Sequence, residues 1–365
     1  MVTDDIYPAH CRGVVRLSRK LESQKAREMY IQGREVPPHL TGELVAYTGP
    51  RTHAALAQTF AEHGYVLLRG ALSTTQVQAA AAEVFGRLAC CGEICQPALD
   101  RQWTGGSNRA ERNPNLGTFW QNVCEGPRLR DVSHGTEMRG IVSALYGEPC
   151  RPFDLMYMRP TIKGEGTALH ADFTFFAADP RDEKMVNAWI PFSDVPVSEG
   201  PLVVVEKSHS ITEIAGPLRD IEFVDKETGG SAADADRMTQ VAYRANPVLA
   251  ECHPIEFAEH YRTRLLTTAF QPGDVIIISM FLIHGACDHI GGSGSERTVR
   301  LSVDIRFQPE AHPTDDIRWF GRNPRNSTGG GYGGMSGAKP LGVVVPADRM
   351  EGEQGESESG GAAKL

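Results

Sequence analysis

The chain has 365 residues, 41% hydrophobic and 23% charged, with 46 Asp and Glu against 37 Lys and Arg and a formal net charge of −9. This is the composition of a globular protein, not a disordered one, and the length suits one large domain or two small ones. The acidic balance excludes a general nucleic-acid binder, and the lack of any run of about 18 apolar residues excludes a predicted helical membrane span.

The opening MVTDDIYPAHCRGVV has no apolar signal core, so a cytoplasmic protein is expected. Residues 1–50 read as an extended N-terminal arm with a short helix near 17–33. RTHAALAQTFAEHG (51–64) predicts a helix and YVLLRGAL (65–72) a strand. Ser73 is a plausible N-cap for the helix formers TTQVQAAAAEVFGRLA. The eight cysteines are scattered and read as free thiols. Cys90, Cys91 and Cys95 could begin a zinc site, but no second half is visible. Residues 98–122 read as a long polar loop of the kind that carries function, with Arg109, Arg112, Trp120 and Gln121 as candidate substrate contacts. A helix follows over 127–146.

From 152 the pattern changes to strand-sized segments, FDLMYMRP, TALHADFTFF, NAWIPFSD, PLVVVEKS, DVIIISMFLIHG and VRLSVDIRF, separated by turn residues. Such a series predicts a sandwich or barrel. A polar insertion at about 210–265 interrupts it. The segment 323–365 is a Gly- and Glu-rich tail whose last 16 residues read as disordered. The implied fold class is mainly β with flanking helices, and the main domain runs over 51–322.

Within TALHADFTFF, strand alternation projects His170 and Asp172 to one face. Two imidazoles and one carboxylate bind one face of iron(II) and leave three positions open. The third ligand is expected from His284, at the end of the apolar run before Gly285; His289, in a loop-like stretch, is its competitor. In VRLSVDIRF, Arg300, Ser302, Asp304 and Arg306 share one face. Arg300 with Ser302 can grip a carboxylate, since the planar guanidinium binds such a group through two nitrogens. Arg306 suits a solvated edge or a pair with Asp304. Arg159, at the end of its strand, is a further candidate for a substrate anion.

Together these segments resemble the phytanoyl-CoA dioxygenase-like family over roughly 55–310: FAEHGYVLLRGALS, the HxD of ALHADF, NAWIPFSDVPVSEGPLVVVEKSHS, PGDVIIISMFLIHG and RLSVDIRF. The resemblance implies a double-stranded β-helix (jelly roll, cupin-like) core. It implies oxidation of a small molecule with iron(II), 2-oxoglutarate and O2, and a metal held by His170, Asp172 and His284. It also sets Trp189 beside the co-substrate; by composition alone Trp189 is equally a core aromatic. Related halogenases carry a small residue in place of the carboxylate, so Asp172 implies hydroxylation or another oxidation. Three features depart from the family: GGSGSE between His284 and Arg300, the 210–265 insertion, and the N-terminal arm. The competing readings are a cupin-like metal-dependent isomerase or dioxygenase that does not use 2-oxoglutarate, and a non-catalytic binding module. The expected partner is a small-molecule substrate, with no nucleic acid or membrane, and a homodimer is compatible with the sequence.

Overall fold

The computed structural model describes residues 28–176, 184–219, 224–225, 241–242, 252–291, 296–326 and 330–342. Among these residues, nine strands build the two larger sheets. They are β1 (Thr41–Glu43), β2 (Tyr65–Leu68), β3 (Cys150–Thr161), β4 (Val186–Pro191), β5 (Leu202–Val205), β6 (Leu265–Thr267), β7 (Val275–Ser279), β8 (His284–Ala286) and β9 (Arg300–Pro309). The larger sheet has the order β2-β7-β4-β9-β3 and is antiparallel throughout. The smaller has the order β8-β5-β6-β1, with β6 and β1 parallel.

Alternation along the strands creates two cores. Tyr65, Leu67, Trp189, Ile276 and Ile278 of the larger sheet pack with Leu202, Val204 and Leu266 of the smaller. The opposite face of the larger sheet, including Met156, Met158, Ala188, Ile190, Val303 and Ile305, packs with the helices. These are α1 (His53–His63), α2 (Thr74–Cys90), α3 (Leu116–Cys124), α4 (Pro127–Ser133) and α5 (Thr136–Tyr146). In α2, Val77, Ala80, Ala81, Val84, Phe85 and Leu88 are buried, the spacing of one helical face. Each large side chain there contributes about 1.5–3 kcal/mol by leaving water. The Ser73 hydroxyl accepts from Gln76 N at 3.4 Å and caps the helix.

Several expectations change. The described half of the N-terminal arm is not a free extension: Thr41–Glu43 pairs with Leu265–Thr267. Residues 30–35 form a hairpin whose Gln32 and Gly33 amides donate to Asp288. The rest of the expected 17–33 helix lies outside the described residues. The predicted 127–146 helix is two helices that break at His134 and Gly135, where a Cβ on Gly135 would meet Asp131 O at 1.9 Å. The tail begins as packed structure, since Tyr332, Met335, Ala338 and Leu341 are buried; its last 16 residues lie outside the described residues. Within the 210–265 insertion, the described residues include helices at Thr212–Arg219 and Pro254–His260, the second of which buries Ile255 and Phe257. Among the described residues no helix is long and apolar enough to cross a membrane.

Candidate metal centre

Two of the predicted strands break, and the breaks build the site. The run DVIIISMFLIHG is not one strand. β7 ends at Ser279, a turn closes with Leu282 N on Ser279 O at 3.0 Å, and the chain enters the smaller sheet, where His284 begins β8 beside Val204. The segment TALHADFTFF is not a regular strand either. Residues 167–170 run alongside β8, and His170 and His284 exchange backbone hydrogen bonds of 2.8 and 2.9 Å. A Cβ at Gly285 would come within 2.6 Å of Thr167 O, so the glycine after His284 permits that approach. The chain then turns, and Phe173–Phe176 forms one helical turn. Phe173 N donates to Met280 O, and its ring stacks on Phe281 at 4.3 Å, which pins the turn that carries Asp172.

The side chains of His170, Asp172 and His284 converge, with one ligand atom from each lying within 4.8 Å of the others. His170 Nε2 is 3.6 Å from Asp172 Oδ1, and His284 Nε2 is 3.8 Å from Asp172 Oδ2. Each imidazole turns Nδ1 to a carbonyl, His170 to Ala168 O and His284 to Leu282 O, both at 2.9 Å. A carbonyl accepts only, so Nδ1 carries a proton in each ring, and the neutral form of the ring keeps its lone pair on Nε2, on the side of Asp172. Burial, then the His170 ring alongside, pulls the His284 pKa down to about 4 against an upward pull from Asp172, which leaves the ring neutral at pH 7. Burial pushes the Asp172 carboxyl up, but Arg306 beside it, together with His284 and His170, more than reverses this and holds it well below the usual carboxylate range. Asp172 Oδ2 is buried with no hydrogen-bond partner. Two imidazoles with Nε2 toward one ionised carboxylate, one of whose oxygens is orphaned, fit a divalent metal.

The cavity beside the triad is lined by His170, His284, Arg300, Arg159, Asp304, Trp189 and Thr167, among others. Arg300 opens β9, pairs across from Thr161 and donates from Nη2 to Thr161 Oγ1 at 2.5 Å; its Nε is buried without a partner. Burial lowers its pKa to about 10, so it remains a cation. Ser302 Oγ is likewise buried without a partner, on the same face of β9. Trp189 meets Phe270 edge to face at 4.8 Å, so it is both core and cavity wall. Arg159 donates to Asp304 Oδ2 at 2.5 Å and is partly exposed.

Other expectations are corrected. Residues 98–122 are no open loop: they include a helical turn at Arg109–Arg112 and most of α3. Arg109 is 0% exposed, bound to Glu93 and to the carbonyls of Gly337, Ala338 and Lys339. Trp120 is buried against Gly337, where a Cβ would meet its ring at 2.1 Å. Arg112 donates to Cys90 O, and Gln121 donates to Arg322 O. None of these four lines the cavity, because their partners lie in the helical layer and the tail. His289 is buried away from the triad, with Nε2 on Thr298 O at 2.9 Å. Among the described residues the triad is the sole metal-competent cluster, which leaves Cys90, Cys91 and Cys95 as free thiols. β9 lies between β4 and β3, so Arg306 is on no solvated edge. It pairs with Asp172, a contact that strand alternation alone did not name.

The family pattern described as phytanoyl-CoA dioxygenase (PhyH) matches residues 60–297. The chain is 25% identical over 264 residues to 1-deoxypentalenic acid 11-beta-hydroxylase of Streptomyces exfoliatus, covering 70% of this chain and 81% of that protein. The enzyme of the same name from Streptomyces arenae is 23% identical over 262 residues, with 70% and 81% covered. Among solved structures, the non-heme alpha ketoglutarate dependent carbocyclase SnoK from nogalamycin biosynthesis is 20% identical, with 72% of this chain and 87% of that chain covered and a TM-score of 0.43. With most of its length matched, this chain belongs to the phytanoyl-CoA dioxygenase family and is an oxygenase that works with iron(II), 2-oxoglutarate and O2.

Proposed function

We propose that this oxygenase hydroxylates, or otherwise oxidises, an unactivated C–H bond of a small metabolite or natural-product intermediate, with succinate and CO2 as co-products. The observation that carries the reading is the metal-competent triad and the buried Arg300 around one cavity. On this reading the two sheets are the halves of a jelly roll. His170, His284 and Asp172, through Oδ2, hold the iron. Arg300 takes the far carboxylate of 2-oxoglutarate, with Ser302 beside it and Trp189 as wall. A buried guanidinium with unused donors suits a carboxylate because its planar fork offers two parallel N–H groups. When bound, iron(II) and 2-oxoglutarate would supply the electrons that activate O2, and O2 is the oxidant.

The protein's share is binding, orientation and exclusion of water. Asp172, His284 and Arg300 are closed off from solvent, whereas the side chain of His170 is 22% exposed. The substrate therefore approaches on the His170 side. A groove of about 620 Å³ adjoins the cavity there through Thr167 and Ala286, and Tyr30, Lys163 and His289 are among its other walls. That volume falls in the range of small-molecule sites. The Streptomyces relatives, named for hydroxylation of 1-deoxypentalenic acid, support the small-molecule class. Arg159, whose side chain is partly exposed and lines the cavity, is the candidate contact for an anionic substrate group.

Anaerobic addition of iron(II) and 2-oxoglutarate tests the centre: a weak visible charge-transfer band is expected, and its absence overturns the reading. A screen of metabolites for stimulated succinate release then finds the substrate class. Stimulation by proteins or nucleic acids alone would contradict the small-molecule assignment.

A further inference from the structure

Asp172 is gripped through one of its oxygens, Oδ1, the one that lies 3.6 Å from His170 Nε2. Arg306 Nη2 donates to Asp172 Oδ1 at 2.6 Å, with the two side chains 2% and 1% exposed. The guanidinium carbon lies 3.8 Å from the centroid of the Phe176 ring and 5.3 Å from that of Tyr157, so the group is fixed at its face as well as at its edge. Its backbone sits in β9, paired with Asn187 of β4 in the interior of the larger sheet. Nε and Nη1 have no hydrogen-bond partner, which leaves Asp172 as the polar anchor. The two carboxylate oxygens are therefore unequal: Oδ1 is committed to Arg306, and Oδ2 is buried and free.

We propose that Arg306 is a positioning residue that locks Asp172 in one orientation and presents Oδ2 alone to the metal. The inference rests on the reading of the triad as a metal centre. A carboxylate beside a divalent ion can rotate, or it can close both oxygens on the ion. A charge-assisted hydrogen bond to Oδ1 opposes both. The consequence is functional, because a second carboxylate oxygen on the metal would occupy one of the positions that the co-substrate and O2 need. A lysine would supply the charge but neither the planar donor edge nor the flat face that lies on Phe176.

The test is anaerobic titration of the metal-free full chain with Co(II), followed by its visible d–d bands. Wild type is expected to bind with one defined spectrum. Arg306→Gln should bind about 10–100-fold more weakly, with an altered spectrum, as loss of an orienting partner does in other metal sites. Arg306→Lys should recover part of the affinity. A folded Arg306→Gln protein that binds Co(II) within about twofold of wild type, with unchanged bands, overturns the proposal. Should the variants fail to fold, the Co(II)-minus-metal-free infrared difference spectrum of wild type decides. A carboxylate stretch separation of the one-oxygen type supports the proposal, and a two-oxygen type overturns it. Wild type that takes up no Co(II) would instead overturn the metal-centre reading, and the proposal with it.

Discussion

Arg109 and the pair Arg300 and Arg306 are all buried guanidinium groups, and they are satisfied to different degrees. Arg109 sends Nε and Nη2 to the two oxygens of Glu93 at 2.8 and 2.6 Å and Nη1 to three carbonyls, with the Phe119 and Trp120 rings alongside. Arg300 leaves Nε unbonded, Arg306 leaves Nε and Nη1, and Ser302 Oγ and Asp172 Oδ2 nearby are also without partners. A buried polar atom without a partner costs about 1–3 kcal/mol. Of these groups, Arg300 lines the cavity, where its unpaired Nε is a standing cost that a bound ligand would offset, whereas Arg109 ties Glu93, α3 and the tail together through all three of its nitrogens.

The largest expected effect is on the cavity side. Asp172→Ala removes the carboxylate of the proposed metal centre and should lower Co(II) affinity and 2-oxoglutarate turnover by more than about a hundredfold. It also strands Arg306 as an unpaired buried charge, so the metal-free protein should lose about 3–5 kcal/mol in denaturant titration. Succinate release at the wild-type rate would remove Asp172 from the centre and erase the contrast with Arg109.

Next comes Glu93→Gln. Breaking a fully buried pair from one side should cost about 3–5 kcal/mol of stability. Because Glu93 and Arg109 do not line the cavity, Co(II) affinity of the folded fraction should stay at the wild-type value. Arg300→Gln should do the reverse. It should raise the KM for 2-oxoglutarate about a hundredfold, the effect of losing about 3 kcal/mol of charge-assisted hydrogen bonding. Stability of the metal-free protein should not fall, since the variant removes a buried cation that had one hydrogen bond. Equal stability losses in Glu93→Gln and Arg300→Gln would show that saturation does not separate the two kinds of arginine.

The same contrast explains what the sequence disclosed. Strand-sized apolar runs with turn residues were readable in order, and alternation and spacing, which are local properties, singled out His170, Asp172 and His284, whose side chains converge, and Arg300, which lines the adjoining cavity. The breaks were not. That β7 stops at Ser279 and β8 starts at His284 depends on which sheet each half joins, and both halves are equally apolar in the sequence. Arg109 looked like a loop residue because its partners at 337–339 lie in a Gly-rich tail far along the chain. Arg306 shares a face with Asp304, two residues away, so that pair was the nearest option by sequence. The fold gives Asp304 to Arg159 instead and frees Arg306 for Asp172.

Asp304 is the intermediate case, and it carries the smallest expected effect. It lines the cavity, as Arg300 does, yet it is paired, as Arg109 is. Burial pushes its carboxyl up, but Arg159 and Arg306 more than reverse this and hold it below the ordinary value. A depressed native pKa means that the folded state binds fewer protons than the unfolded state. Its contribution to stability is therefore full above the unfolded value of about 4 and is lost as pH falls below that value toward the native one. In metal-free protein, Asp304→Asn should be less stable than wild type at neutral pH. The gap between their urea midpoints should close as the pH is lowered below about 4. A gap that stays constant through that window would mean that the Arg159 pair contributes nothing through charge. Asp304 would then count with the unsatisfied groups of the cavity, not with the saturated pair at Arg109.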